Sequence, residues 1–134
     1  MTYYLTLEDF TELAIAVLAE EGEELLIRDA GLLQSALTRP QMTVFGADAY
    51  SDLPRKAAAL LESIARSHCL IDGNKRLAWA AAKLFLLLND VHLKAPGVDL
   101  AETVVVGVAT GTVDLDSSAG TIAAWCVPLS TEPE

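Results

Sequence analysis

The stretch SHCLIDGNKRLAW, Ser67 to Trp79, gathers His68, Asp72, Gly73, Asn74, Lys75 and Arg76 between two strongly apolar helical runs. Those residue types, in that order, could handle a phosphate. Gly73 supplies the backbone freedom that a tight turn needs. The helix opening after it leaves its first amides without intrahelical partners, and such ends attract anions, phosphate above all. Lys75 and Arg76 add two positive charges at the same place, and Asn74 can cap the helix, donate to an oxygen, or both. Asp72 would repel an anion there unless a magnesium ion intervenes, since Mg2+ is commonly held by one or two carboxylates together with substrate phosphates. His68 completes the group, because an imidazole can take a proton from an attacking hydroxyl near neutral pH. Base, metal ligand and phosphate cradle are what phosphoryl or nucleotidyl transfer requires. The plainer reading is a turn over Asp72 to Asn74 with Lys75 and Arg76 in solvent. Residue types and spacing alone leave both open.

The elements that must position this joint are helical. TLEDFTELAIAVLAEE has Thr6 at an N-cap and Asp9 three residues on, a capping-box spacing, followed by apolar residues at helical intervals. RDAGLLQSALTRP predicts a shorter helix capped by Asp29 and stopped before Pro40. DLPRKAAALLESIARSH predicts a helix with Asp52 near the cap and Pro54 in the first turn. After the joint, KRLAWAAAKLFLLLN is apolar nearly all round, as a central helix should be. DLAETVVVGVATG predicts a helix from Asp99 to Gly111, although Val104–Val106 also has strand propensity. DSSAGTIAAWCVPL predicts a last helix ended by Pro128, followed by a frayed tail over 129–134. The connection QMTVFGADAYSD, residues 41–52, is long for a helical domain. Its residues alone favour a surface loop with an apolar anchor over a short hairpin.

The chain of 134 residues is 52 % hydrophobic and 21 % charged, which predicts one folded domain over 1–134, and the helical patterns make it an all-α bundle of about six helices. Nine basic against nineteen acidic residues give a net charge of −10, which argues against direct nucleic-acid binding and against an anionic membrane surface. No secretory leader is expected, and Leu77 to Leu88 is too short for a span. Cys69 and Cys126 form no disulfide framework or zinc pattern, so two reduced thiols and a cytoplasmic location are expected. Adjacent helical side chains diverge, which disfavours a Cys69–His68 catalytic pair. Trp79 and Trp125 are read as core residues, with Trp79 at the edge of the nucleotide pocket. Lys83, seven residues beyond Arg76, is either a lysine snorkelling at the core edge or a contact for a partner's carboxylate. His92 is read as a loop residue and Arg66 as solvated.

HCLIDGNKR, residues 68–76, resembles the Fic/Doc signature His-x-Phe-x-Asp/Glu-Gly-Asn-Gly/Lys-Arg, and its lysine form is similar to the death-on-curing branch. The likeness extends upstream through IRDAGLLQSALTRPQMTVFG and KAAALLESIARSH, and downstream through AAKLFLLLN. The resemblance implies an all-α Fic fold with the signature between two core helices. It implies His68 as base, Asp72 as magnesium ligand, and Gly73, Asn74, Lys75 and Arg76 as the phosphate-binding loop, with ATP as substrate. It makes residues 41–52 a candidate target-positioning flap centred on Val44, Phe45 and Gly46. It further implies the toxin of a toxin–antitoxin pair, held by a small antitoxin and blocking translation by phosphorylating a threonine of elongation factor Tu. AMP-transferring relatives have glycine where this chain has Lys75, and a second arginine where it has Trp79. Kinase-type transfer is therefore expected ahead of AMP transfer, and a catalytically inactive interaction module of the same fold is the alternative from another class. Leu70 stands in place of the family's phenylalanine, NDVH in place of Asn-Gly-Tyr, and EEGEELLI is more acidic than usual.

Overall fold

Four helices begin where a short polar side chain can hold a free amide. The computed structural model describes residues 1–129. In α1 (Leu7–Ala19), Thr6 Oγ1 accepts from the Asp9 amide and Asp9 Oδ2 accepts from the Thr6 amide, both at 3.0 Å, closing the capping box. Asp29 caps α2 (Ala30–Thr38) through the Leu32 amide at 3.0 Å. Asp52 caps α3 (Leu53–Ser67) through the Arg55 amide at 2.8 Å. Two helices differ: α4 (Asn74–Leu88) and α5 (Val98–Thr110) start at Gly73 and Gly97, with no side-chain cap. The last helix, α6 (Leu115–Trp125), is capped by Asp114 through the Ser117 amide at 2.8 Å.

The interior is built around α3, which meets α2, α4, α5 and α6. Leu60, Leu61 and Ile64 of α3 lie fully inside with Phe10, Leu33, Leu37, Leu77, Phe85 and Ile122. Both α3 and α4 bury small residues, Ala57, Ala58 and Ala65 in the first and Ala78, Ala81 and Ala82 in the second. They let the two helices flanking the polar joint approach closely. Six of the fifteen α4 residues are buried, and its exposed leucines, Leu87 and Leu88, fall in the last turn. Val104–Val106 is helical: Val105 and Val108 face the core one turn apart, and that packing outweighs their strand propensity. No helix of the described residues is long and apolar enough to cross a membrane.

Two short strand pairs complete the chain. β1 (Thr43–Val44) and β2 (Ala47–Asp48) form an antiparallel hairpin in place of the expected loop, with Thr43 opposite Asp48. Phe45 and Gly46 between them have φ of 51° and 82°, the positive values that primed hairpin turns need. The last helix stops at Trp125, not at Pro128. Cys126 is extended at ψ 136°, and Cys126–Pro128 forms β4, pairing antiparallel with β3 (Val91–Leu93). Pro128 disfavours helical backbone at the residue before it, so the break spreads upstream. His92 accordingly lies in a strand, not a loop. Of the tail expected to fray, Leu129 donates its amide to Asp90 O at 3.1 Å, and 130–134 lies outside the described residues.

Candidate active site

The chain leaves α3 at Ser67, reverses through His68 to Gly73 and re-enters helix at Asn74. Both ends of the reversal are left-handed: His68 has φ 54° and ψ 35°, and Gly73 has φ 83°. The positive φ is what calls for glycine there; a Cβ on Gly73 would also come within 3.3 Å of Leu18 Cδ2, which would have to shift slightly. His68 has no such freedom, and its left-handed backbone costs about 1 kcal/mol that its surroundings must offset.

Those surroundings are specific. Arg28 and Asp29 both donate their amides to Cys69 O, at 2.8 and 3.1 Å, and the Ile71 amide donates to Leu26 O at 3.0 Å. Leu70, where phenylalanine was the family expectation, is fully buried and pairs with Ile27 across an isolated bridge. Asn74 closes the other side. Its Oδ1 accepts from the Leu70 amide at 3.0 Å, and its Nδ2 donates to Leu70 O at 2.9 Å. The Asn74 side chain therefore does not cap α4, one of the roles its type allowed, and braces the loop instead.

What the brace presents is a cleft of about 860 Å3. His68, Asp72, Gly73, Asn74, Lys75, Arg76, Trp79 and Lys83 all line it. The His68 imidazole is exposed to it and makes no hydrogen bond among the described residues. The amides of Asn74, Lys75 and Arg76 likewise have no intramolecular acceptor among the described residues, while Leu77 already bonds to Gly73 O at 2.9 Å. Three free N–H groups and the positive end of a helix dipole therefore meet at the loop. Lys75 and Lys83 are exposed and form no ion pair among the described residues. The rest of the lining is mainly apolar, with Ile71, Trp79 and Val98, Ala101, Val105 and Val106 of α5, interrupted by Glu102. A ligand with a charged tail and a flat apolar body fits that division.

Asp72 is exposed, and its Oδ1 accepts the Gly73 amide at 2.8 Å. Among the described residues no group of three or more His, Cys, Asp or Glu side chains surrounds a common point. A single carboxylate fits the way Mg2+ is held beside substrate phosphates, and it does not fit an all-protein metal cage.

Arg76 is engaged within the protein. Its Nη2 donates to Glu23 Oε1 at 3.0 Å, and Nη1 lies 3.1 Å from Glu21 Oε1 without the alignment of a hydrogen bond. Both glutamates come from the acidic segment between α1 and α2, whose unusual charge was the one sequence signal for this contact. Arg66 is exposed, as expected, and also donates Nε to Val108 O at 2.7 Å and lies near Glu62. Trp79 and Trp125 pack edge to face at 6.4 Å, both partly buried. Cys69 is buried beneath the loop and does not line the cleft. Val44, Phe45 and Gly46 do not line it either, and Phe45 is wholly exposed at the hairpin tip. The contribution of α5 to the cleft wall, including Glu102, had no sequence signal.

Comparison with known proteins agrees with this architecture. A family model described as the Fic/DOC family matches residues 4–86. The chain is also 52 % identical over 133 residues to a protein named Toxin Doc from Mycolicibacterium smegmatis, covering 98 % of this chain and 99 % of that one.

Proposed function

Because the chain belongs to the Fic/DOC family, we propose that its cleft transfers a phosphoryl group from ATP to a hydroxyl of another protein. One observation carries this reading: an exposed imidazole, the Asp72 carboxylate and an uncapped helix start flanked by cations share one cleft. In the transfer, the acceptor hydroxyl gives its proton to His68 as its oxygen attacks the γ-phosphorus. The bond from that phosphorus to the bridging oxygen breaks, ADP leaves, and the phosphate ester stays on the acceptor. His68 later returns its proton to solvent. The free amides of Asn74, Lys75 and Arg76 hold the non-reacting phosphate oxygens, with Lys75 adding a full charge. Asp72 would hold Mg2+, which supplies charge neutralisation on the phosphates when bound. Arg76 reaches the nucleotide only by exchanging Glu21 and Glu23 for phosphate.

Lys75 and Trp79 support the γ-phosphate as the reacting group. A lysine crowds an α-phosphate flanked by two others, and Trp79 stands where AMP-transferring relatives carry a second arginine clamp. The relative's name and the branch resemblance support a further reading: the chain is the toxin of a toxin–antitoxin pair, acting in the cytoplasm. A small antitoxin would hold it, and a threonine of elongation factor Tu would be the acceptor, so that transfer blocks translation.

ATP labelled separately at its α- and γ-phosphates, incubated with bacterial extract and Mg2+, tests this. The expected result is protein labelled from the γ position only. Label from the α position would mean AMP transfer with release of pyrophosphate. Label from neither would leave an interaction module that keeps the fold without the chemistry.

A further inference from the structure

Lys56, in the first turns of α3, is 3 % exposed. An ammonium in that position is costly unless it is paired. Its Nζ meets Asp48 Oδ2 at 3.1 Å, and Asp48 belongs to β2 of the hairpin. The same nitrogen lies 5.5 Å from the centre of the Tyr4 ring, which stacks at 6.0 Å on the fully buried Phe85. Burial pushes the Lys56 ammonium down, but the Tyr4 hydroxyl and the Asp48 carboxylate outweigh it, so it titrates above an ordinary lysine.

The hairpin cannot hold itself. Its four strand residues are all exposed, and an isolated two-stranded hairpin is marginal in water. Phe45 at the tip touches nothing that could fix it and keeps a positive φ. One leg is tied by Tyr50, whose hydroxyl accepts from Arg39 Nε at 2.8 Å. The other tie is Lys56, which reaches the strand itself. At the hairpin's foot, Met42 and Ser67 line one depression of about 390 Å3, and Ser67 directly precedes His68.

We propose that Lys56 is a positioning residue: through Asp48 it holds the 43–48 hairpin in the pose that receives an acceptor protein beside His68. This rests on reading the cleft as a transferase site and the hairpin as the acceptor-positioning flap that the family resemblance implies. Its role is on the acceptor side, since neither residue lines the nucleotide cleft.

The test uses Lys56→Met, near in length without the charge, and Asp48→Asn, a change at an exposed side chain. Amide hydrogen exchange over 43–48 is measured beside steady-state transfer from ATP to purified elongation factor Tu. In both variants the hairpin amides should exchange roughly tenfold faster while those of α3 and α4 hold, the signature of local opening. KM for the acceptor should rise by a similar factor, with KM for ATP unchanged. Unchanged hairpin exchange overturns the proposal, as does faster exchange with an unchanged acceptor KM. If the wild-type protein transfers nothing, the transferase reading falls and acceptor positioning with it; exchange then decides only whether Lys56 anchors the hairpin.

Discussion

The starts of α1 and α4 are opposites. At α1 the protein's own side chains take up the Thr6 amide at the cap and the Asp9 amide, one of the first three in the helix, and Glu8 and Asp9 offset the helix dipole. At α4 it satisfies none of the first three, places no acid in the first turn, and spends the one candidate cap, Asn74, on the preceding loop. α5 is the intermediate case, uncapped at Gly97 but with Asp99 in its first turn. Both uncapped ends border the same cleft. A helix start that serves only the fold is closed by its own side chains, and one left open at a cleft is available to a ligand.

The largest expected effect separates chemistry from fold at His68. His68→Ala should lower transfer by about 10²- to 10⁴-fold, the usual contribution of a general base. His68→Gly should be equally inactive yet more stable than wild type by about 1 kcal/mol, because it relieves the left-handed strain. Denaturant unfolding and a transfer assay on both variants check this. A less stable glycine variant would show that no strain is held there.

Next in size is the brace. Asn74→Ala leaves the buried Leu70 amide and carbonyl without partners, at a cost of about 1–3 kcal/mol. Asn74→Asp retains an acceptor for the Leu70 amide and should recover part of the stability. If Asn74→Ala instead weakens ATP binding at unchanged stability, the side chain serves the ligand after all.

The closed ends come third. Thr6→Ala and Asp52→Ala should each cost about 1 kcal/mol by thermal unfolding and leave transfer unaltered. Their pH dependence has a definite sign at Asp9 and Asp114. The Thr6 backbone amide and the Tyr3 hydroxyl hold the Asp9 carboxyl below its usual range, and the Ser117 amide does the same for Asp114. A depressed folded-state value stabilises fully above the unfolded-state value and is lost as pH falls through the folded one. The difference in melting temperature between wild type and Asp114→Asn should therefore be constant above about pH 5 and shrink below about pH 4.

The legible features were local. Thr6 with Asp9, Asp29 and Asp52 could be read as caps because a cap and its amide are neighbours in sequence. The glycine turn and the joint's charges could be read for the same reason. The β3–β4 pair could not, since three-residue strands carry no alternation and their partners are far apart in the chain. Nor could Lys56, whose partners Tyr4 and Asp48 sit on other elements and which looks locally like any charge after a helix cap. Asn74 shows a subtler limit: its type suits cap, ligand contact and brace alike, and only the path of the loop selects the brace.

The smallest expected effect concerns Arg76. Glu21→Gln with Glu23→Gln frees the guanidinium from exposed ion pairs, which are worth about 1 kcal/mol or less. Calorimetric titration should show ATP binding tightened by roughly twofold to fivefold, with the gain fading as salt rises.

The most direct measurement is a nuclear magnetic resonance titration of the nitrogen-labelled protein with ATP and Mg2+. The amide signals of Asn74, Lys75 and Arg76 should shift first and furthest, while those at the start of α1 stay still. Nucleotide binding that leaves these three amides unmoved would contradict the account.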